Sequence, residues 1–195
     1  TFISVNLGIS LALTGKKVIL LGMDLRKPKL SQYLVERRDS TETGVTNYLV
    51  GDLDPESIIC PSEVNENLYL LPSGPVPPNP AELLGKARLK ELFSYLKQHY
   101  DYIIIDTAPV GLVADAFLLE PFTDISLFAV RYGKTPKEMV KALENMRRER
   151  KFKNPAIVLN GVKKGKGYGY GYGYGYGYYS DDPDSSKKWF FRRKV

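Results

Sequence analysis

The length and composition of the chain indicate one medium-sized folded domain. It has 195 residues, of which 43% are hydrophobic, enough to build a substantial core. Its single cysteine, Cys60, excludes an internal disulfide and suits a reducing cytosol. No apolar run approaches the roughly 20 residues of a membrane span.

The net charge of +6 is concentrated at the C-terminal end. From residue 162 onward there are eight Lys or Arg and three Asp, which place +5 of the total in this segment. The same segment holds seven of the 14 tyrosines, separated mostly by single glycines. Residues 1–161 are almost neutral, so the sequence does not indicate a nucleic-acid-binding body.

The order of apolar segments predicts alternating helices and strands. Residues 2–14 predict a helix that stops at Gly15. Short apolar runs bounded by charge, glycine or proline then predict five buried strands. These are KKVILLG, NLYLLPSG, YDYIIIDTAP, DISLFAVR and PAIVLNG.

Two of the connecting helices have recognisable start signals. In the segment NPAE, Asn79 is the predicted N-cap and Glu82 the N3 residue. In the segment TPKE, Thr135 is the predicted N-cap and Glu138 the N3 residue. Buried strands alternating with helices predict an α/β fold, with a parallel sheet covered by helices on both faces. Residues 162–195 predict a flexible, low-complexity tail.

Polar residues follow several strands, where ligands bind in sheets of this class. They are Asp24, Arg26, Ser73, Gly74, Asp106 and Asn160. Carboxylates at neighbouring strand ends, with cations close by, point to a site for Mg²⁺ and phosphate, because Mg²⁺ needs only one or two carboxylates. Asp106 could alternatively cap the turn that follows its strand.

A phosphate-binding loop is not visible, since the pattern G-x-x-x-x-G-K-[ST] does not occur in the chain. The chain begins, however, with a threonine directly before a helix. If the residues before Thr1 ended in Gly-Lys, Thr1 would be the last residue of such a loop and a ligand of Mg²⁺. Residues 1–161 would then be a P-loop domain without its first strand and most of its Walker A motif.

The motifs together resemble the cytoplasmic domain of bacterial tyrosine kinases. This family belongs to the deviant Walker P-loop ATPases, with the MinD and ParA types. The resemblance rests, in order, on five segments. They are TFISVNLGISLALTGKKVILL, MDLRKPKL, LPSGPVPPNPAELL, YDYIIIDTAPVGLVADA and the C-terminal tyrosine cluster.

The resemblance implies a tyrosine autokinase that uses ATP and Mg²⁺. Asp106 would organise Mg²⁺ through water, Asp24 would lie beside the metal and phosphates, and Arg26 would be the arginine of the family motif. Thr1 would bind Mg²⁺, and Asn160 would contact the base, although a turn role for Asn160 fits equally.

The tyrosine cluster would be the substrate, phosphorylated mainly by a neighbouring copy. Its acceptors would be Tyr168, Tyr170, Tyr172, Tyr174, Tyr176, Tyr178 and Tyr179. Interspersed glycines keep such a chain adaptable, so that successive hydroxyls can reach one site.

The resemblance also implies a cellular setting. The chain would act at the inner face of the plasma membrane, in capsule or exopolysaccharide synthesis. Its partners would be copies of itself in a ring, a membrane-spanning co-polymerase domain and a cognate tyrosine phosphatase, with no nucleic acid.

One position departs from the family motif. The first Asp of D-x-D is Gly22 here, so the proton acceptor is left open. This departure favours one alternative, a catalytically weak regulatory partner of a polysaccharide co-polymerase. A second, separate alternative is a MinD- or ParA-type ATPase.

Overall fold

The fold is known from a computed structural model that describes residues 1–34, 43–51, 53–109 and 115–162. The helices are α1 (Phe2–Ala12), α2 (Val45–Val50), α3 (Pro80–Leu84), α4 (Ala87–His99), α5 (Asp115–Leu119) and α6 (Lys137–Arg148). The strands are β1 (Val18–Gly22), β2 (Cys60–Pro61), β3 (Leu68–Leu71), β4 (Tyr102–Asp106), β5 (Ser126–Arg131) and β6 (Pro155–Asn160).

The strands form two sheets. The larger sheet has the order β2-β3-β1-β4, in which β1 runs parallel to β3 and β4, and the short β2 is antiparallel. The smaller sheet pairs β5 with β6 in parallel. The five predicted strands are present and the predicted α/β class is confirmed. The two-residue β2 was missed because it is too short to show a pattern.

Strand β1 lies at the centre of the core and is buried along its whole length. Its side chains alternate between two apolar clusters, with Ile19 and Leu21 in one and Val18 and Leu20 in the other. Residues of α2, α3 and α4 fill the first cluster, and residues of α1 fill the second. The sheet is therefore covered on both faces, as the continuous apolar run of β1 predicts.

Helix α1 lies very close to β1. A Cβ placed on Gly8 would be 3.0 Å from Leu20 Cδ2, so the glycine allows a close approach of helix to strand. Because α1 begins at the carboxyl end of the sheet, this packing also fixes the position of its first turn.

The helix predicted from Asn79 proves to be two helices. Asn79 is the N-cap of α3, but its side-chain amide donates to the Glu82 carboxylate and not to the backbone. The chain turns at Gly85 and Lys86 before α4 begins. The apolar face predicted for the second part packs in the core as expected.

The helix predicted from Thr135 begins at Lys137, with Pro136 as its N-cap. The Thr135 hydroxyl instead accepts the Arg131 N–H at 2.8 Å and closes the turn after β5. Thr135 was therefore assigned one residue too close to the helix.

Among the described residues, β4 and β5 each pair with one neighbour only, β1 and β6 respectively. Each thus keeps a free hydrogen-bonding edge, which is a template for a further strand. Within these residues, no helix is both long and apolar enough to cross a membrane.

Replacing Leu20 by alanine tests the packing of β1. Leu20 is fully buried, so we expect Leu20→Ala to lower the free energy of unfolding by about 2–5 kcal/mol. Leu13→Ala is the matched control, because Leu13 is 66% exposed, and its effect should stay within about 0.5 kcal/mol. Equal losses in urea unfolding would contradict the assigned core.

Candidate functional site

The carboxyl ends of β1 and β4 meet at one edge of the larger sheet. Gly22 and Asp106, the last residues of these strands, are register partners. The Met23 N–H donates to the Asp106 carbonyl at 2.8 Å, which extends the ladder one step beyond β1. The backbone leading to Asp24 is therefore anchored next to Asp106.

Asp106 is a buried carboxylate held by the first turn of α1. The Thr1 hydroxyl donates to Oδ2 at 2.7 Å, and the Ser4 hydroxyl donates to Oδ1 at 2.8 Å. The amino nitrogen of Thr1 also lies 2.8 Å from Oδ1. The carboxylate is 5% exposed, so these bonds replace the water that it loses on burial.

Helical geometry brings both hydroxyls to the same carboxylate. Thr1 is the N-cap of α1 but makes no side-chain cap, because its hydroxyl is directed to Asp106. Ser4 lies three residues further on, and residues at this spacing share one helix face. The sequence reasoning selected Thr1 and Asp106 and missed Ser4, which the i, i+3 spacing from Thr1 could have indicated.

The oxygen atoms at this position suit a hard cation. A hydroxyl that donates its proton to Asp106 keeps lone pairs that can face a metal ion. The described part of the chain has no group of three His, Cys, Asp or Glu that could hold a metal on its own. The two hydroxyls and the Asp106 carboxylate suit Mg²⁺, which keeps several waters and takes one or two protein oxygens together with substrate phosphates.

Asp24 and Arg26 form a second group beside the first. Asp24 Oδ1 accepts the N–H of Arg26 at 3.2 Å and that of Lys27 at 3.0 Å, so the carboxylate shapes its own turn. The Arg26 guanidinium donates to both oxygens of Asp115, the first residue of α5, at 2.8 and 3.1 Å. These bonds to Asp115, more than the charge of Asp24, raise the pKa of Arg26 above its usual value.

Asn160, predicted to contact the base, lies on the smaller sheet. Asn160 ends β6 in the smaller sheet, where its carbonyl accepts the Tyr132 N–H at 2.8 Å. Within the described residues no hydrogen bond joins Asn160 to Asp106 or Asp24. The seven tyrosines from Tyr168 to Tyr179 lie outside the described residues.

Ser73 fills the space beside Gly22. Ser73 follows β3, which flanks β1 on the side opposite β4. A Cβ on Gly22 would lie 2.6 Å from Ser73 Oγ and 3.1 Å from Ser73 N. Glycine at position 22 is thus matched by the serine next to it, and any side chain there requires the hydroxyl to move.

Comparison with known proteins shows what the chain is similar to. The family model for the AAA domain matches residues 1–121. The chain is 36% identical over 159 residues to the tyrosine-protein kinase CpsD of Streptococcus agalactiae, covering 82% of this chain and 68% of that protein. It is 37% identical over 162 residues to the tyrosine-protein kinase YwqD of Bacillus subtilis, covering 83% of this chain and 66% of that protein.

A solved structure supports the same assignment. The kinase domain of the Escherichia coli tyrosine kinase ETK superposes with a TM-score of 0.77 at 31% identity, covering 90% of this chain and 67% of that one. The chain belongs to the bacterial tyrosine kinase family. It is a tyrosine-kinase domain with the P-loop ATPase fold, which is a nucleotide-binding fold.

Gly22 and Ser73 should behave as a coupled pair in this bacterial tyrosine kinase. We expect Gly22→Ala to cost about 1–3 kcal/mol of stability, because its Cβ meets the Ser73 hydroxyl. In a Ser73→Ala background the cost should fall to less than half. Gly22→Asp should likewise cost less in the Ser73→Ala background, and thermal unfolding of the six combinations measures these costs. An identical cost in both backgrounds would show that Ser73 does not set the space at position 22.

Proposed function

We propose that this chain is the catalytic domain of an ATP- and Mg²⁺-dependent kinase that phosphorylates its own C-terminal tyrosines, mainly in a neighbouring copy. The observation that carries the proposal is the buried Asp106 carboxylate, with the Thr1 and Ser4 hydroxyls on its two oxygens. A strand-end carboxylate next to a helix-start hydroxyl is how P-loop proteins hold Mg²⁺.

In this proposal Thr1 holds Mg²⁺ directly through its hydroxyl oxygen. Both oxygens of Asp106 are already engaged, so Asp106 acts on the metal through water and by fixing the Thr1 hydroxyl. Asp24 is half-buried at the neighbouring strand end and would face the phosphates. Mg²⁺ held by Thr1 and Asp106 would help to neutralise the negative charge of the phosphates.

The transfer forms a bond from the tyrosine oxygen to the γ-phosphorus and breaks the bond from that phosphorus to the bridging oxygen of ADP. Gly22 supplies no base. Asp24 engages its turn through Oδ1, and we assign its Oδ2 to receive the tyrosine proton. A loose transition state demands little from a base, so positioning and charge stabilisation carry most of the catalysis.

The domain boundaries of this proposal are residues 1–161 for the kinase domain and 162–195 for the tail. A segment that leads into Thr1 must arrive at the carboxyl end of β4, because Thr1 contacts Asp106 there. A strand parallel to β4 on its free edge would deliver a phosphate-binding loop to this point. We infer that a longer form of the protein supplies such a strand, and that Asn160 contacts the nucleotide base.

Tail phosphorylation would reverse the charge of the tail. Each phosphotyrosine adds roughly −1.5 to −2, so seven would change the tail from +5 to about −5 to −9. A basic tail suits an acidic neighbouring subunit or an anionic membrane surface, and an acidic tail suits neither. We infer a ring of copies at the inner face of the plasma membrane, loosened by phosphorylation and reset by a tyrosine phosphatase.

The setting of this cycle is inferred from the family. We place the chain with a membrane-spanning co-polymerase domain, either fused or separate, in the polymerisation and export of capsular polysaccharide or exopolysaccharide. Nothing in the nearly neutral body supports a nucleic-acid partner.

Intact-mass spectrometry after incubation with Mg-ATP tests the kinase. We expect a ladder of up to seven phosphates in a longer form that includes the residues before Thr1. Asp106→Asn should slow the ladder roughly 100-fold or more, because an amide removes the charge and one of the two oxygens that accept the Thr1 and Ser4 hydroxyls. Asp101→Asn, at an exposed residue just before the same strand, is the matched control and should phosphorylate at the normal rate.

Two further measurements sharpen this test. Mixing a Tyr-to-Phe tail variant with an Asp106→Asn copy should place phosphate on the Asp106→Asn copy, as transfer in trans requires. If the wild-type protein gains no phosphate and the Gly22→Asp/Ser73→Ala variant does, the natural protein is instead a weak regulatory partner.

Sedimentation tests the assembly. At low salt and high concentration we expect the unphosphorylated protein to sediment as a larger species than the phosphorylated one, because about 10–14 added negative charges repel. The Tyr-to-Phe tail variant treated with Mg-ATP is the control and should stay large. Equal sedimentation before and after phosphorylation would reject the proposed ring cycle.

A further inference from the structure

Asp115 is a buried carboxylate that has no part in the mechanism above. It is 1% exposed and begins α5, the helix that follows β4 in the chain. Its two oxygens accept two bonds from one guanidinium, from Arg26 Nε at 2.8 Å and from Arg26 Nη2 at 3.1 Å. This fork-to-fork pair is the most directional contact an arginine can make.

Stability alone is a poor explanation for this pair. Burying a carboxylate is costly, and a buried ion pair commonly adds no more stability than apolar residues of the same size. The pair instead joins positions 89 residues apart, the turn after β1 and the first residue of α5. Those two segments follow the two strands whose ends form the candidate site.

The geometry leaves part of the guanidinium available. Within the described parts of the chain, Asp115 takes the Nε and one Nη2 proton, and both protons of Nη1 and the second proton of Nη2 remain for other partners. The Arg26 side chain is 41% exposed although its partner is buried. Arg26 is therefore anchored by one edge and presents the other to solvent.

The turn that carries Arg26 is rigid on its other side too. Asp24 accepts the backbone N–H of Arg26, and the N–H of Met23 is tied to the Asp106 carbonyl. Backbone and side chain of Arg26 are thus fixed from two strand ends. Because the guanidinium is already held in one orientation, little conformational entropy is lost when it binds an anion.

We propose that Asp115 is a positioning residue that fixes the Arg26 guanidinium so that its free N–H groups face the phosphates of the bound nucleotide. The proposal rests on the proposed function, because it needs a nucleotide at the carboxyl end of the sheet. Arg26 would touch the transferred phosphoryl group, and Asp115 would act only through Arg26.

Asp115→Asn is the variant that tests the idea, since it keeps the size of the side chain and removes the charge and one acceptor. We expect kcat for tail phosphorylation to fall roughly 10- to 100-fold, as for a misplaced catalytic group. KM for ATP should change less than about 3-fold, as for a contact made mainly in the transition state. The double variant Asp115→Asn/Arg26→Ala should be no slower than Arg26→Ala alone, whereas a separate structural role for Asp115 would add a further loss.

A binding experiment keeps the test independent of transfer. Mg-ADP-aluminium fluoride mimics the transferring phosphoryl group. We expect Arg26→Ala and Asp115→Asn to lower the affinity for this mimic by similar factors and to change the affinity for Mg-ADP little. Asp124→Asn removes an exposed carboxylate and is the matched control, and thermal unfolding confirms that each variant folds.

The outcomes separate the two proposals. If the wild-type protein binds the mimic, both variants bind it more weakly, and the wild-type tail gains no phosphate, the autokinase proposal is wrong and the positioning role stands. If Arg26→Ala weakens the mimic and Asp115→Asn does not, the positioning role is overturned and the kinase is unaffected. If the wild-type longer form, which includes the residues before Thr1, binds neither Mg-ADP nor the mimic, both proposals are overturned.

Discussion

The structure of the candidate site depends on the contact between the start of α1 and the end of β4. Two hydroxyls one helical turn apart bind the two oxygens of Asp106, which lies almost entirely out of water. A buried carboxylate is costly unless it is hydrogen-bonded, and these donors supply the bonds that water would otherwise make. Gly8 contributes from a distance, because it lets α1 approach β1 closely enough for the contact to form. Packing of the core and charge at the site are therefore set by the same helix.

The sequence predicted the parts of this site that lie on regular elements. Asp106 and Gly22 come directly after short apolar runs, and the ends of these runs mark the ends of β4 and β1. Thr1 directly precedes a predicted helix. Ser4 was missed since a serine inside a helix carries no signal by itself, and its role depends on a strand about 100 residues away. Asp115 was missed for the same reason: its partner is 89 residues distant, and no local pattern reports such a separation.

The two predicted helix starts, of which Asn79 is confirmed as an N-cap and Thr135 is not, show the same limit at shorter range. At Asn79 and Thr135 the sequence supplied correct capping residue types, and the structure used their side chains differently. Asn79 binds the Glu82 side chain, and Thr135 accepts a backbone N–H from the end of β5. Propensity identifies which residues favour a helix start, but competing partners supplied by the fold decide which hydrogen bond is made. Position 22 follows this rule too, since only the fold reveals that Ser73 occupies the space beside it.

Gly22 and the Arg26–Asp115 pair point to how such a site can work with one carboxylate fewer. A base at position 22 would help most if proton removal preceded bond formation, and a loose phosphoryl transfer places it late. What the transition state then demands is positive charge in a fixed place, because charge spreads over the phosphoryl oxygens as the bond to ADP lengthens. An arginine anchored along one edge by a buried carboxylate meets that demand without reorganisation. A glycine at the end of β1 and an anchored arginine four residues later favour a site that relies on electrostatic positioning more than on base catalysis.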